Sequence, residues 1–247
     1  FAIAAVGLNL LIGFTGQISL GHGAFFGVGG YAAAILTTKV GFPFYLSLLS
    51  AGMITAMVGL IFGLPSARLK HLYLTIATLA GQFILQFLFV NWESLTGGSM
   101  GIMLPRATLF GLSLKSDQAY FYVVFVCLVA MIWIAKNLLR TRYGRAFIAI
   151  RDNDRAAEGM GIPIFRYKLL AFAISSFYAG FAGALWTHYL ASITPDPFTL
   201  FLSVEFIAMI IIGGLGSLTG SVFGAIFITM LNEILSHASE FFMNLPA

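Results

Sequence analysis

Apolar positions in this chain fall in long blocks, with no period-two alternation. Runs free of Asp, Glu, Lys and Arg cover Phe1 to Thr38, Val40 to Ala67, His71 to Trp92, Gln118 to Ala135, Leu169 to Pro195 and Phe206 to Asn232, with lengths of 38, 28, 22, 18, 27 and 27 residues. About 20 apolar residues cross a hydrocarbon core of about 30 Å as a helix, so each run is long enough for at least one pass. The first is too long for a single pass and is broken by glycine. It reads as two passes or as one pass plus a re-entrant piece, which brings the total to about seven or eight crossings. Barrel strands would alternate in polarity and stop after about ten residues. The expected fold is therefore an all-α, polytopic transmembrane helical bundle with Gly-interrupted helices, a single transmembrane domain over residues 1–247. The chain opens at Phe1 inside an apolar segment and closes at Asn244-Leu245-Pro246-Ala247 just after a span, so both ends are expected to be truncations.

Composition agrees. Hydrophobic residues make up 60% and charged residues 9%, against about 45–50% and about 25% in soluble domains. A soluble monomer is excluded. Disorder is excluded too, since it needs low hydrophobicity and high charge. Cys127 is the one cysteine, which leaves no intrachain disulfide, and mid-span among Val, Phe and Leu it reads as a small apolar filler.

The net charge of +4 is concentrated. Between Lys136 and Lys168 stand eight bases and three acids; the rest of the chain has five bases and six acids. Short basic loops mark the cytoplasmic side, where they also face anionic lipid head groups. Arg68 and Lys70, two spans upstream, fall on the same side by parity. The connection at Lys39 to Pro43, the loop from about Asn91 to Gln118 and the turn Pro195-Asp196-Pro197 then lie outside. After Lys168 no base remains. Glu205 and Glu233 read as interfacial residues 28 positions apart, about 42 Å as helix, which favours a single crossing interrupted at Gly213-Gly214-Leu215-Gly216-Ser217.

Glycine clusters at Gly7 to Gly30 and Gly213 to Gly224 need a reason, because glycine costs about 1 kcal/mol against alanine inside a helix. The pairs Gly23/Gly27, Gly59/Gly63 and Gly220/Gly224 have the spacing that lets backbones approach closely in lipid. The sharper reading is a pair of discontinuous helices lining a solute route. Asn9, Thr15, Gln17, Ser19 and His22 in the first cluster, with Gly213, Gly214, Ser217 and Thr219 in the second, supply small polar groups at membrane depth, where such groups face the protein interior or a cavity. Asn9, Gln17, Ser19, His22, Gly213, Gly214 and Ser217 are the candidate path or gate residues. His22 reads first as hydrogen-bonded structure and second as a gate; with His71, His188 and His237 scattered singly, no metal-ligand spacing exists. Gln82 and Gln86, on one helix face, read as interhelical hydrogen bonds before path lining.

Residues 138–168 form a charged loop. Asp152, Asn153 and Asp154 suit a helix start, Arg155 to Glu158 supply one or two turns, and Gly159, Gly161 and Pro163 stop them. Such a loop is ordinarily a solvated turn. Here Ala156, Ala157, Met160 and Ile162 give the short helix a face that fits a partner's groove.

Arg155-Ala156-Ala157-Glu158-Gly159-Met160-Gly161 resembles the Glu-Ala-Ala-x-x-x-Gly coupling loop of ATP-binding-cassette importer permeases, with Arg155 where many have Glu. Gly144-Arg145-Ala146-Phe147-Ile148-Ala149-Ile150-Arg151-Asp152-Asn153 narrows the likeness to branched-chain amino acid permeases. The stretches Leu8 to Phe26, with its Gly-Gln-x-Ser-Leu-Gly-His core, and Gly213 to Gly220 resemble the LivM-type subunit. The resemblance covers nearly the whole chain. It implies a permease of the bacterial inner membrane that pairs with a LivH-like subunit as a heterodimer, two cytoplasmic ATPases and a periplasmic binding protein. It also implies that Arg151, Asp152, Asn153, Arg155, Ala156, Ala157, Glu158 and Gly161 couple to an ATPase.

No lysine follows a glycine, so the chain has no P-loop; ATP and Mg are expected on the partner ATPases, with no cofactor in this chain and no nucleic-acid partner. An ion-coupled carrier would need charged relays inside the spans, which hold none except Glu205 and Glu233 near their ends. A membrane enzyme built on Ser19 and His22 lacks an orienting carboxylate. Leucine, isoleucine or valine is the expected cargo, with urea or a short amide as the alternative within the same family.

Overall fold

The computed structural model describes residues 1–66, 71–109, 112–113 and 116–243. Arg68 and Lys70, the parity check on orientation, lie outside the described residues, as does the C-terminal Asn244 to Ala247. The helices are α1 (Ala2–Thr15), α2 (His22–Thr38), α3 (Phe44–Ser66), α4 (His71–Asn91), α5 (Glu93–Thr96), α6 (Asp117–Arg140), α7 (Arg142–Asp152), α8 (Asp154–Gly159), α9 (Ile164–Leu190), α10 (Leu200–Gly213) and α11 (Leu218–Met243). Segments of α3, α4, α6, α9 and α11 are long and apolar enough to cross a membrane. The chain is an all-α, multi-pass membrane protein.

Burial separates core from lipid face. Of the apolar window of α9, 67% is buried, against 11% for α6 and 17% for α11, so α9 is the central post and the other two present their flanks outward. On those flanks Phe121, Trp133 and Phe223 stay exposed, as befits surfaces whose solvent is hydrocarbon. With lipid as apolar as the core, close packing and hydrogen bonds must hold the bundle together. Tyr178 donates to the Met131 carbonyl at 2.9 Å and Tyr120 to that of Leu185 at 2.6 Å, pinning α6 to α9. Glycine provides the closest approaches: a Cβ on Gly29 would strike the Gly180 backbone, and one on Gly183 the Phe26 carbonyl, so α2 and α9 meet main chain to main chain.

The ends of the bundle differ as the charges predict. The basic α7 and α8 lie with the C-terminus of α1 and the start of α9. At the other end two-residue strands β1 (Ile102–Met103) and β4 (Ser192–Ile193) pair antiparallel, and Lys39 Nζ donates to the Ser94 carbonyl at 2.8 Å. Three connections assigned to the outside thus gather on one face. Strands β2 (Thr108–Leu109) and β3 (Leu112–Ser113) make a small hairpin in the same loop.

The first charge-free run is two helices joined by a non-helical rise. His22 Nε2 meets the Ala4 carbonyl at 2.9 Å, so α2 starts beside the first turn of α1, about 16 Å along its axis from Thr15. Residues 16–21 climb that distance as non-helical chain, within the reach of an extended segment. The chain from Thr194 to Thr199 makes a similar non-helical entry before α10, with the Phe198 ring against Gly27 and among Phe26, Tyr31 and Phe89. Both α2 and α10 therefore begin inside the bundle.

The single interrupted crossing expected between Glu205 and Glu233 is not what forms. Helices α10 and α11 fold back as a hairpin: Asn232 Nδ2 donates to Glu205 Oε1 at 2.7 Å although 27 residues separate them. Gly214 at φ 104° and Gly216 at φ 80° make the turn, in a region of φ that residues with a Cβ rarely adopt. Gly213 lies against the Gly220 carbonyl and Gly224 against that of Met209. The glycines that suggested an interruption are the turn and the contact seam of two antiparallel helices.

Candidate functional site

Asn9 ties the hairpin to α1. Fully buried in α1, its amide nitrogen donates to Ser221 Oγ at 2.6 Å, to the Ser217 carbonyl at 2.9 Å and to that of Gly214 at 3.3 Å. Its carbonyl oxygen accepts from Gly216 N at 2.9 Å. Hairpin turns leave carbonyls and N–H groups without helical partners, and at membrane depth an unsatisfied backbone group costs several kcal/mol; a single asparagine side chain supplies both kinds of partner. Gly13, one turn on, is close enough that a Cβ there would collide with the Asn9 amide and with Gly216 N. Ser217 Oγ accepts from Gly220 N at 3.1 Å and so caps α11 from within the turn.

Helices α7 and α8 reach this seam by two routes. On the first, Arg151, at the end of α7, donates from one guanidinium nitrogen to the Gly13 carbonyl at 3.0 Å, while its other nitrogens bind Asp152 Oδ1 at 3.1 and 3.0 Å. The Gly13 carbonyl belongs to the last turn of α1, where carbonyls lack helical partners and the helix dipole favours a cation. A Cβ on Gly216 would sit 3.5 Å from the same guanidinium, so Arg151 bonds α1 and lies beside the hairpin tip. On the second route, Lys168 Nζ pairs with Asp154 Oδ2 of α8 at 2.6 Å, and the Lys168 carbonyl accepts from Gln17 Nε2 at 3.3 Å. Gln17 stands in the non-helical rise and also donates to Thr15 Oγ1 at 2.9 Å.

Helix α8 itself forms where the sequence places it. Asn153 caps it by accepting from Ala156 N at 3.1 Å, and Gly161 at φ 82° ends it. Ala157 is buried, while Arg155, Ala156, Glu158, Met160 and Gly161 are exposed, an outward face available to a partner. Helix α7 went unread in the sequence, where residues 142–152 passed for loop. The spacing of Tyr143, Ala146, Phe147 and Ile150 carries its signal, a stripe at i, i+3, i+4 and i+7; Gly144, Ala146, Phe147 and Ile150 are the buried side.

A second polar cluster holds the interior start of α2. Ser203 Oγ accepts from Gly23 N at 2.8 Å, and Gln82 Oε1 from Ala24 N at 2.8 Å and from Ser203 at 3.1 Å. Gln82 Nε2 donates to the Phe198 carbonyl at 2.9 Å, so one side chain satisfies α2 and the non-helical entry to α10 together. Leu20 N donates to Thr78 Oγ1 at 3.0 Å, and Gly21 N to Ser19 Oγ at 3.4 Å. His22, with its ring edge against Phe206, is fixed as structure here. Of Asn9, Gln17, Ser19, His22, Gly213, Gly214 and Ser217, none lines the three cavities described in the bundle; Asn9 bonds Gly214 and Ser217 in the seam between α1 and the hairpin, Gln17 bonds Thr15 and Lys168, and Ser19 and His22 hold the start of α2. Among the described residues no group of three His, Cys, Asp or Glu has the arrangement for a metal ion.

The sequence profile of the family described as "Branched-chain amino acid transport system / permease component" matches residues 1–245. The LivM permease proteins of the high-affinity branched-chain amino acid transport systems of Salmonella typhimurium and Escherichia coli are each 33% identical to the chain over 98% of its length and 63% of their own. The fructose import permease protein FrcC of Rhizobium meliloti is 27% identical over 92% of the chain and 66% of its own length. The chain thus spans less than two thirds of the LivM proteins it matches. No solved structure matches it.

Proposed function

Because this chain belongs to the family of permease components of branched-chain amino acid transport systems, we propose that it forms one half of the translocation path of an ATP-driven importer. The cargo is leucine, isoleucine, valine or a similar small aliphatic amino acid. In the bacterial inner membrane it pairs with a LivH-like permease subunit. Two cytoplasmic ATPases, which bind the ATP and Mg, dock on the face formed by Arg155, Ala156, Glu158 and Gly161, and a periplasmic binding protein delivers the solute.

The observation that carries this reading is the hydrogen bond of Arg151 to the end of α1, at a point where its guanidinium also lies beside the α10–α11 turn. An ATPase can shift a permease between two conformations only if its own states bind them differently. A helix pair fixed to the ends of two membrane elements is a means of imposing that difference. Movement of α7 and α8 would pull on Gly13 and Gly216 through Arg151, and on Gln17 through Asp154 and Lys168. The two helices that start inside the bundle, α2 and α10, are the elements so moved, and their half-length form leaves polar main chain where a solute passes.

Reconstitution tests the reading. Proteoliposomes holding the full-length chain, its LivH-like partner, both ATPases and the binding protein are expected to accumulate leucine on ATP addition and to lose all uptake when the ATPases are left out. Uptake driven by an ion gradient without ATPases would overturn it.

A further inference from the structure

At the basic end of the bundle, the turn from α6 into α7 is a fixed corner. Thr141 Oγ1 donates to the Leu138 carbonyl at 2.6 Å and accepts from Tyr143 N at 3.2 Å. A Cβ on Gly144 would strike the Leu139 backbone, so the first turn of α7 presses main chain to main chain on the last turn of α6. That approach sets two bases side by side: a guanidinium nitrogen of Arg145 donates to the Arg140 carbonyl at 3.4 Å. Lys136 stands one turn back on α6, about 6 Å along its axis. The side chains of Lys136, Arg140 and Arg145 are all exposed.

The protein does not answer this charge itself. Of the three acids between Lys136 and Lys168, Asp152 pairs with Arg151, Asp154 pairs with Lys168, and Glu158 is exposed on α8. Among the described residues no carboxylate forms an ion pair with Lys136, Arg140 or Arg145. Arg142 adds a fourth cation, its guanidinium 5.1 Å from the centre of the Tyr143 ring. The first turn of α7 holds no acid either, so the helix dipole adds to the charge of Arg142 and Arg145 where an acid would offset it. The flank of α6 below the corner shows which anion suits it. Val126, Val129, Trp133, Lys136 and Arg140 follow at steps of three and four residues, which places them on one face of the helix. Val126, Val129 and Trp133 are exposed, so this face is apolar along the membrane and basic at its end. Trp133 lies about 10 Å along the axis from Arg140, at the level where tryptophan rings meet lipid head groups.

We propose that the α6–α7 corner binds one anionic phospholipid of the leaflet it faces. The phosphate sits between Arg140 and Arg145, with Lys136 at its edge, and an acyl chain lies along Trp133 and Val129. Guanidinium groups match phosphate oxygens in geometry as well as charge. A zwitterionic lipid carries an ammonium into the same group of cations and so binds more weakly. A soluble phosphomonoester has the head chemistry but nothing to lay on the apolar stripe. The site is independent of which solute the permease moves.

The test titrates the purified full-length chain in detergent with phosphatidylglycerol, phosphatidylethanolamine and glycerol 3-phosphate, and counts bound molecules by native mass spectrometry. One phosphatidylglycerol is expected to bind saturably and at least tenfold more tightly than either of the other two. Arg140→Gln and Arg145→Gln should each weaken it about fivefold, the worth of one base near an anionic surface, at unchanged melting temperature. Arg155→Gln, which removes the same charge from the exposed side of α8, should leave the affinity unchanged. Equal weakening in all three variants would reduce the site to a diffuse attraction and overturn the proposal. Phosphatidylethanolamine or glycerol 3-phosphate binding as tightly as phosphatidylglycerol would overturn it too, the latter by making the corner a site for soluble phosphates. Displacement of the lipid when the ATPases are added would assign the corner to that partner instead. Uptake is not read in this assay, so the lipid site and the importer reading stand or fall separately.

Discussion

Asn9 and Arg151 are the two side chains on which the seam depends, and they act by different physics. Asn9 is buried and bonds main-chain groups of the hairpin, among them the Gly216 N–H, which donates to its Oδ1. Replacing it by alanine leaves the Gly216 N–H without its partner and removes a bond from the Gly214 and Ser217 carbonyls, at about 1–3 kcal/mol. Asn9→Ala is expected to lower the melting temperature of the detergent-solubilised chain by several degrees; an unchanged value would mean that the seam contributes nothing to stability. Arg151 is partly exposed, with 40% of its side chain accessible, and ion pairs of that kind contribute about 0–1 kcal/mol. Arg151→Gln should therefore leave the melting temperature within about a degree of wild type while cutting ATP-driven uptake at least tenfold. A proportional loss of stability and uptake would make Arg151 a structural residue only. The sequence marked Asn9 as polar at membrane depth, yet nothing in it reveals the partner, because the bonds reach across more than 200 positions. His22 was legible as a buried histidine; its bond to the Ala4 carbonyl settles it as the anchor of α2.

Among the elements, the hairpin α10–α11 and the non-helical rise at residues 16–21 define the architecture. Sequence reading located both through their glycines. It assigned the hairpin a single crossing, because after Lys168 no charge tells direction and because a turn and an interruption have the same composition. Close approach of Gly213 to Gly220 and of Gly224 to Met209 decides the matter. Gly220→Leu is expected to force α10 and α11 apart and abolish uptake, with membrane insertion retained by the remaining spans, as read by protease protection; normal uptake would show that the backbones need not touch. Helix α8 was legible through its cap and stop, both local signals. Gly161, at φ 82° with open space around it, tests the docking face without disturbing packing: Gly161→Val strains the turn by about 1–2 kcal/mol and is expected to weaken co-purification with the ATPases. Retained stoichiometric ATPase binding would place the docking surface elsewhere.

Over the whole molecule, charge placement and helix discontinuity belong to one arrangement. All the excess positive charge lies at one end, between Lys136 and Lys168 around helices that contact the seam, and the other end gathers three loops and a polar pocket. That the chain is a multi-pass helical bundle could be read from its charge-free runs, since their lengths follow from bilayer thickness; the α10–α11 hairpin could not, because no charge marks direction after Lys168. Which passes begin inside the membrane could not, because that depends on side chains such as Gln82 and Ser203 satisfying distant main chain. Under the proposed importer mechanism such a body would pass movement of α7 and α8 to the α2 and α10 starts as a switch between two packed arrangements, since closely packed interiors do not deform continuously. The most direct test is the ratio of leucine transported to ATP hydrolysed in proteoliposomes of the full complex, wild type against Arg151→Gln. Arg151→Gln is expected to retain most of the hydrolysis while that ratio falls at least tenfold. A ratio equal to wild type would contradict transmission through the Arg151 seam.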